Sequence, residues 1–393
     1  FAKGVWMRSG GFAERDVDLD ALWTSMVATE ARSGAVELAD LVGEAALAAA
    51  SSDAPILCRA ETIHVTQDAT FPQAGIIICD RLVGSDAATI RMTGPDKTLR
   101  IVARVIEETQ TIDVSGAPGD DGASGQDGAT GLAGIGGATG RKGKDGDIFH
   151  SAKRGKGGGK GDLGGLGGQA SNGTDGGHGE DAGDVFVDAA SFPPGTSFRV
   201  IARGGLGGRG GQGGTGGQGG AGGDGGTGGK GGSNEAIFRK GARGGPGGAG
   251  GDGGDGRNGG TGGSGGDGGD GGNLTLTVLQ GQPVPVVSFI GEGGEGGQEG
   301  TGGRPGLGGQ GGKGGDGGEG GNGSSQGAPG QNGKPGLEGR LGGDGEEGET
   351  GEDGEANFEF EIIIREGFHA IVEEAAALLG EDEILDQIME EVS

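Results

Sequence analysis

Residues 204 to 232 read GGLGGRGGQGGTGGQGGAGGDGGTGGKGG, and residues 244 to 272 read GGPGGAGGDGGDGRNGGTGGSGGDGGDGG, with Arg257 alone breaking the second glycine frame. Two runs of equal length on either side of a short link read as the arms of a hairpin. A repeat of three residues is that of the left-handed polyproline II helix, which rises about 3.1 Å per residue and makes no internal hydrogen bonds. Its amides must find partners on other rods. Collagen solves this with three chains and many imino residues, but this chain has 12 Pro against 109 Gly, and only one glycine per triplet faces a collagen axis. In a bundle of straight rods, two glycines per triplet let two neighbours approach while the third side chain points out. The pattern therefore favours a folded polyglycine II bundle over a collagen-like trimer or a disordered linker.

The same plan extends outward. Glycine recurs at every third position from Gly116 to Gly146, again over 155–182 with Ala170 and Ala182 in its place, and from Gly291 to Gly354 with one fault at Ser324 in the reversal 322–326. This predicts six rods in three hairpins, each on the order of 90 Å long. The rods at 204–232 and 244–272 carry two glycines in almost every triplet and are expected at the centre. Those at 116–146 and 327–354 carry mainly one and are expected at the edges. Between the rods, 184–203 reads as a β-hairpin turning at Pro193, Pro194 and Gly195, and 273–290 as a second turning near Gly281. Residues 56–114 alternate in short apolar bursts, and 356–364 read ANFEFEIII. The expected fold class is mainly β plus polyglycine II: one discontinuous β-sheet base, six antiparallel left-handed polyglycine II helices, and short N- and C-terminal α-helices.

Four regions follow. Residues 1–55 form an N-terminal docking segment with two amphipathic helices broken near Ser33 and Gly34, and 56–115 form the β base. Residues 116–354 form the bundle with its returning hairpins. Residues 355–393 supply a last base strand and an acidic helix, its apolar positions lying between 368 and 391.

The formal charge of -28 argues against nucleic acid, which needs a basic face, and keeps a glycine-rich rod soluble by repulsion. No run of 18 apolar residues spans a membrane. The chain opens at Phe1, the expectation for a processed product, and an extracellular or cell-surface location is compatible with it. Cys58 and Cys79 would form a disulfide in an oxidising compartment, or remain two buried thiols. Residues 262–266 fit G-x-S-x-G but lie inside the repeat with no strand before them. The four histidines lack metal-ligand spacing, and Asp252 with Asp255, or Asp267 with Asp270, read as solvated charge. No catalytic, cofactor or metal residue is expected, and the chain is read as non-enzymatic.

Two groups of residues stand out as binding candidates. The first two links share a pattern, Ile148-Phe149 followed by Arg154, and Ile237-Phe238 followed by Arg243. Apolar residues ringed by cations at a rod tip suit a cell-surface or glycan partner, unless Phe149 and Phe238 plug the bundle end against each other. Phe1, Val5, Trp6, Met7 and Phe12 have no core of their own and suit docking on a neighbour, with residues 1 to about 50 bridging subunits of a homo-oligomer or polymer.

The paired runs resemble the polyglycine II bundles of springtail antifreeze proteins and phage tail-fibre adhesins, and 116–146 is more distantly similar to bacterial collagen-like surface proteins. The resemblance covers 116–354 and implies architecture more than activity. Arg209, Asp224 and Lys230 interrupt the uncharged ladder that an ice-binding face requires. The resulting expectation is a structural subunit of an extracellular fibre or surface appendage, self-assembling through its base and terminal segments, with a receptor-binding adhesin as the alternative.

Overall fold

The computed structural model describes Trp23 and residues 32–49, 54–236, 238–356 and 360–379. Among the described residues the elements follow one another as β1 (Arg32–Glu37), α1 (Leu38–Ala49), β2 (Ile56–His64), β3 (Ala69–Phe71), β4 (Gly75–Val83), β5 (Thr89–Met92), β6 (Leu99–Glu107), β7 (Thr109–Asp113), β8 (Val185–Ser191), β9 (Ser197–Ile201), β10 (Leu274–Leu279), β11 (Val286–Ile290), β12 (Phe360–Arg365) and α2 (His369–Leu379). One sheet has the order β1-β2-β4-β6-β8-β10-β12 and the other β11-β9-β7-β5-β3. Every pairing is parallel. The chain thus alternates between two sheets, one strand in each per turn, and winds like a solenoid.

The fold class is therefore α/β, which corrects the expected mainly β class with its antiparallel base under polyglycine II helices. Residues 184–203 and 273–290 are not hairpins. β8 joins the seven-stranded sheet and β9 the five-stranded one, and the turn at Pro193–Gly195, with Gly195 at a φ of 97°, carries the chain across the gap. The reason is burial. A hairpin would place Val185, Val187 and Ala189 beside Phe198 and Val200 in one layer, whereas facing sheets enclose all five in a common interior. Side chains stack along this interior in ladders, such as Cys58, Ile77, Ile101, Val187, Leu276 and Ile362. Both cysteines are free, buried thiols, and burial pushes Cys58 up to about 12.

The terminal segments also differ from expectation. Residues Arg32–Glu37 form a strand, not a helix break, and α1 closes the first turn of the coil with Leu38, Leu41 and Val42 in the same core. Trp23 and α2 cover the outer face of the seven-stranded sheet. There Trp23 packs with Ile78, Val102, Ile371 and Val372, its ring lies 5.5 Å from that of Phe368, and its indole N–H donates to Asp80. Trp23 and residues 32–49 thus pack on their own subunit, while residues 1–22 and 24–31, the rest of the expected bridge, lie outside the described residues.

The glycine-rich segments carry neither helix nor strand, yet their amides are bonded in order. The ladder of the sheet runs on into them: Val114 donates to Ile201, Gly116 to Arg203 and Gly119 to Leu206, each at 2.8 Å. Segments one (116–146), three (204–232) and five (291–321) are joined in parallel in this way, as are two (155–182), four (244–272) and six (327–354), and segments consecutive in sequence are joined antiparallel. The result is two layers of three. Segments three and four each bond to four others, two and five to three, and one and six to two, an order that follows the glycine content.

The third amide of many triplets is met by a side chain. Asp121 accepts from the amide of Arg209 at 2.9 Å, Asp127 from Thr215 at 2.7 Å and Asp175 from Ser264 at 2.7 Å. Asp252, Asp255, Asp267 and Asp270 likewise accept from Leu337, Arg340, Glu352 and Glu355. These carboxylates stay accessible to solvent, as expected, and in addition act as acceptors in the lattice. At Gly217, an added Cβ would meet the carbonyl oxygen of Ala129 and the amide of Gly168 closer than atoms approach, while Ala129 itself is exposed. Gly217→Val should abolish the cooperative thermal transition of the bundle or lower its midpoint by more than 10 °C. Ala129→Val should shift it by under about 2 °C, as expected for an exposed site.

Candidate functional sites at the segment tips and the open end of the coil

The tip is built from three links. Gly146 pairs with Asn234, whose amide donates to Asn322 at 2.7 Å, so the links stack as the segments do. Asp147 holds the first link closed by accepting from the amides of Phe149 and His150 at 2.8 and 2.6 Å and by bonding the His150 ring at 3.0 Å. These contacts, the ring bond first, hold the Asp147 carboxyl below its ordinary value. Ile148 is exposed, and Phe149 and Phe238 are 79% and 93% exposed, so the two rings do not plug the bundle end. Arg154 and Arg243 are not free tip cations. Their Nε atoms donate to the carbonyls of Gly244 at 3.3 Å and Pro329 at 3.2 Å, each tying its segment to the next in the layer. Ile237 lies outside the described residues.

The cations that do crowd the tip extend the predicted site. Arg141, Lys142, Lys144, Lys153, Lys156 and Lys160 flank the first link, and Lys230, Arg239 and Lys240 the second. Acidic groups nearby are Asp145, Asp147, Glu235 and Glu319, of which Asp145 pairs with Lys142 at 2.8 Å and Glu319 with Lys230 at 3.0 Å. A locally basic tip thus stands on a protein of charge -28. The signal was legible in RKGKDGDIFHSAKRGKGGGK, residues 141–160, once charge is read along the links as well as in total.

The second site is the end of the coil. The interior ladders terminate at β12, where Phe360, Ile362 and Ile364 continue the buried columns of Leu274, Leu276 and Val278, yet Ile362 is 40% and Ile364 65% exposed. Phe289 of β11 lies 6.5 Å from Phe360, and Val284 and Val286 are exposed beside it. The first turn has α1 over it, whereas no strand among the described residues pairs with the outer edge of β12. The candidate docking residues Phe1, Val5, Trp6, Met7 and Phe12 lie outside the described residues.

Among the described residues, no group of three His, Cys, Asp or Glu could hold a metal ion, and no helix is long and apolar enough to cross a membrane. Compared with protein-family models, curated proteins and solved structures, the chain matches none.

The depressed Asp147 carboxyl fixes the direction of one pH effect. Its folded value lies below the ordinary 3.8, so the link is stabilised above that pH and loses this contribution as pH falls through the lowered value. His150→Ala should move the Asp147 titration, followed by carboxyl NMR, back toward 3.8, and the Phe149 and His150 amides should then exchange faster.

Proposed function

We propose that this protein is a non-enzymatic structural subunit of an extracellular fibre or surface appendage, which polymerises by strand addition at the open end of its coil and holds out the glycine-rich bundle. The observation that carries this reading is β12: an edge unpaired among the described residues, whose inward columns, Phe360, Ile362 and Ile364, are exposed where the five preceding strands of those columns bury theirs. Unpaired edges accept a strand from another chain. The bundle is a poor alternative interface, because its outer segment six carries Glu338, Glu346, Glu347, Glu349, Glu352 and Asp353, and like charges on two copies repel. The added strand is supplied by residues 1–22 of a neighbour, which hold Phe1, Val5, Trp6, Met7 and Phe12.

A receptor-binding adhesin is the second reading, favoured by the exposure of Phe149 and Phe238 within the basic tip. Its partner would be an anionic cell-surface polymer.

The test is assembly. Purified protein should form filaments by electron microscopy and sediment as a concentration-dependent series. Ile364→Lys should leave it a folded monomer with an unchanged melting temperature, and deletion of residues 1–16 should do the same. If the intact protein stays monomeric at all concentrations, the structural reading fails. Filaments of normal length from the Ile364→Lys variant would show that assembly uses another surface.

A further inference from the structure

The lattice of segments has two faults at mid-length. In segment two Ala170 stands in the glycine frame, and in segment four Arg257 does. The two faults face each other, since a Cβ at Gly254 would meet Gly165 and one at Gly260 would meet Ser171. Segments two and four are joined through the amides of Gly164, Gly167, Gly173 and Gly176, which donate to Asp252, Asp255, Thr261 and Ser264, and the amide of Ala170 between them makes no ladder bond. Side chains thus stand at this level in place of two hydrogens, and the ladder between the segments skips one rung. A cleft of about 540 Å³ opens there, reaching to Arg340 and Leu341 of segment six.

The groups lining the cleft are donors more than acceptors. The Nε of Arg257 is buried and has no hydrogen-bond partner, a costly state for a guanidinium that an oxyanion drawing this side chain into the cleft would relieve. Arg340 adds a second guanidinium. Asn172 and Asn258 each use their side-chain oxygen to accept from the amides of Thr261 at 3.0 Å and Gly343 at 2.8 Å, which leaves their NH₂ groups as donors toward the cleft. The one carboxylate present, Asp255, accepts from the Arg340 amide at 2.8 Å. Leu166 and Leu341, both exposed, form apolar rims.

We infer that this cleft binds a saccharide bearing a single carboxylate, with Arg257 and Arg340 on the carboxylate, Asn172 and Asn258 on ring hydroxyls, and the two leucines against the apolar face of the ring. Segment six, which forms one wall of the cleft, carries Glu338, Glu346 and Glu347, and these oppose a polyanion at this place, which selects a sugar acid within a short, otherwise neutral saccharide. The site is separate from the tip and from the coil end, so it stands whether or not the protein polymerises.

The test titrates the full chain with a glucuronate-containing disaccharide, with the neutral disaccharide of the same linkage, and with sodium acetate, by calorimetry and amide NMR. The acidic disaccharide should bind at least ten-fold more tightly than either control and shift the amides of Ala170, Asn258 and Arg340. Arg257→Gly restores the glycine frame, so it should keep or raise the melting temperature while weakening binding at least ten-fold, and Arg340→Gln should weaken it less. Equal binding of acetate would reduce the cleft to a simple anion site and overturn the proposal. Equal binding of the neutral sugar, no binding at all, or unchanged affinity in Arg257→Gly would overturn it as well.

Discussion

The structure depends on one kind of bond: a backbone amide that donates sideways, to the carbonyl of another segment, because the glycine-rich chain has no partner within itself. Each such bond contributes about 0.5–1.5 kcal/mol net, while ordering a residue costs about 1–2 kcal/mol and more for glycine. A lone segment cannot hold its shape on those terms. It becomes ordered only when its neighbours are already in place, at the right height and close enough for carbonyl and amide to meet. The second condition explains the sequence, since any side chain on a contact side would push the neighbour away.

The coil supplies the first condition. The offset between Asp121 and Arg209 in the segments is 88 residues, the same as between Thr109 and Ser197 in the five-stranded sheet. Parallel pairing in the coil sets the register, and the segments inherit it through Val114, Gly116 and Gly119. The apolar interior between the sheets, with residues such as Ile77, Ile101, Val187 and Leu276 fully or almost fully buried, provides the stability that the segments lack. Lys97 reinforces the junction, nearly buried and 2.8 Å from Glu180 at the end of segment two.

Much of this was readable in the residues, and what was missed was missed for identifiable reasons. The spacing of glycines delimits the six segments, and their density orders the segments from edge to centre, because each glycine marks a side that another backbone occupies. The base was misread because 184–203 has a strand, a Pro-Pro-Gly turn and a strand, which describes a hairpin and a sheet-to-sheet corner equally well. Only the presence of equivalent strands in earlier turns decides between them, and those earlier turns have no glycine insert to mark the period. At the tip, Phe149 and Phe238 are exposed as a binding reading requires, but Arg154 and Arg243 serve the lattice. The role of Asp252 and Asp255 was hidden because acceptors for a third amide have meaning only once two layers are known.

The outer segments of the bundle are closed by side chains and carboxylates, and the coil that carries it is covered at its first turn by α1. All of that rests on the sideways amide ladder, which residue-resolved hydrogen exchange measures directly. In 204–232 both glycine amides of each triplet, such as Gly207 and Gly208, should exchange slowly and with a common free energy of opening. In 128–137 only every third amide, Gly128, Gly131, Gly134 and Gly137, should be slow, with Ala129 and Thr130 fast. Uniformly fast exchange across both segments, or protection that ignores the period of three, would contradict the account.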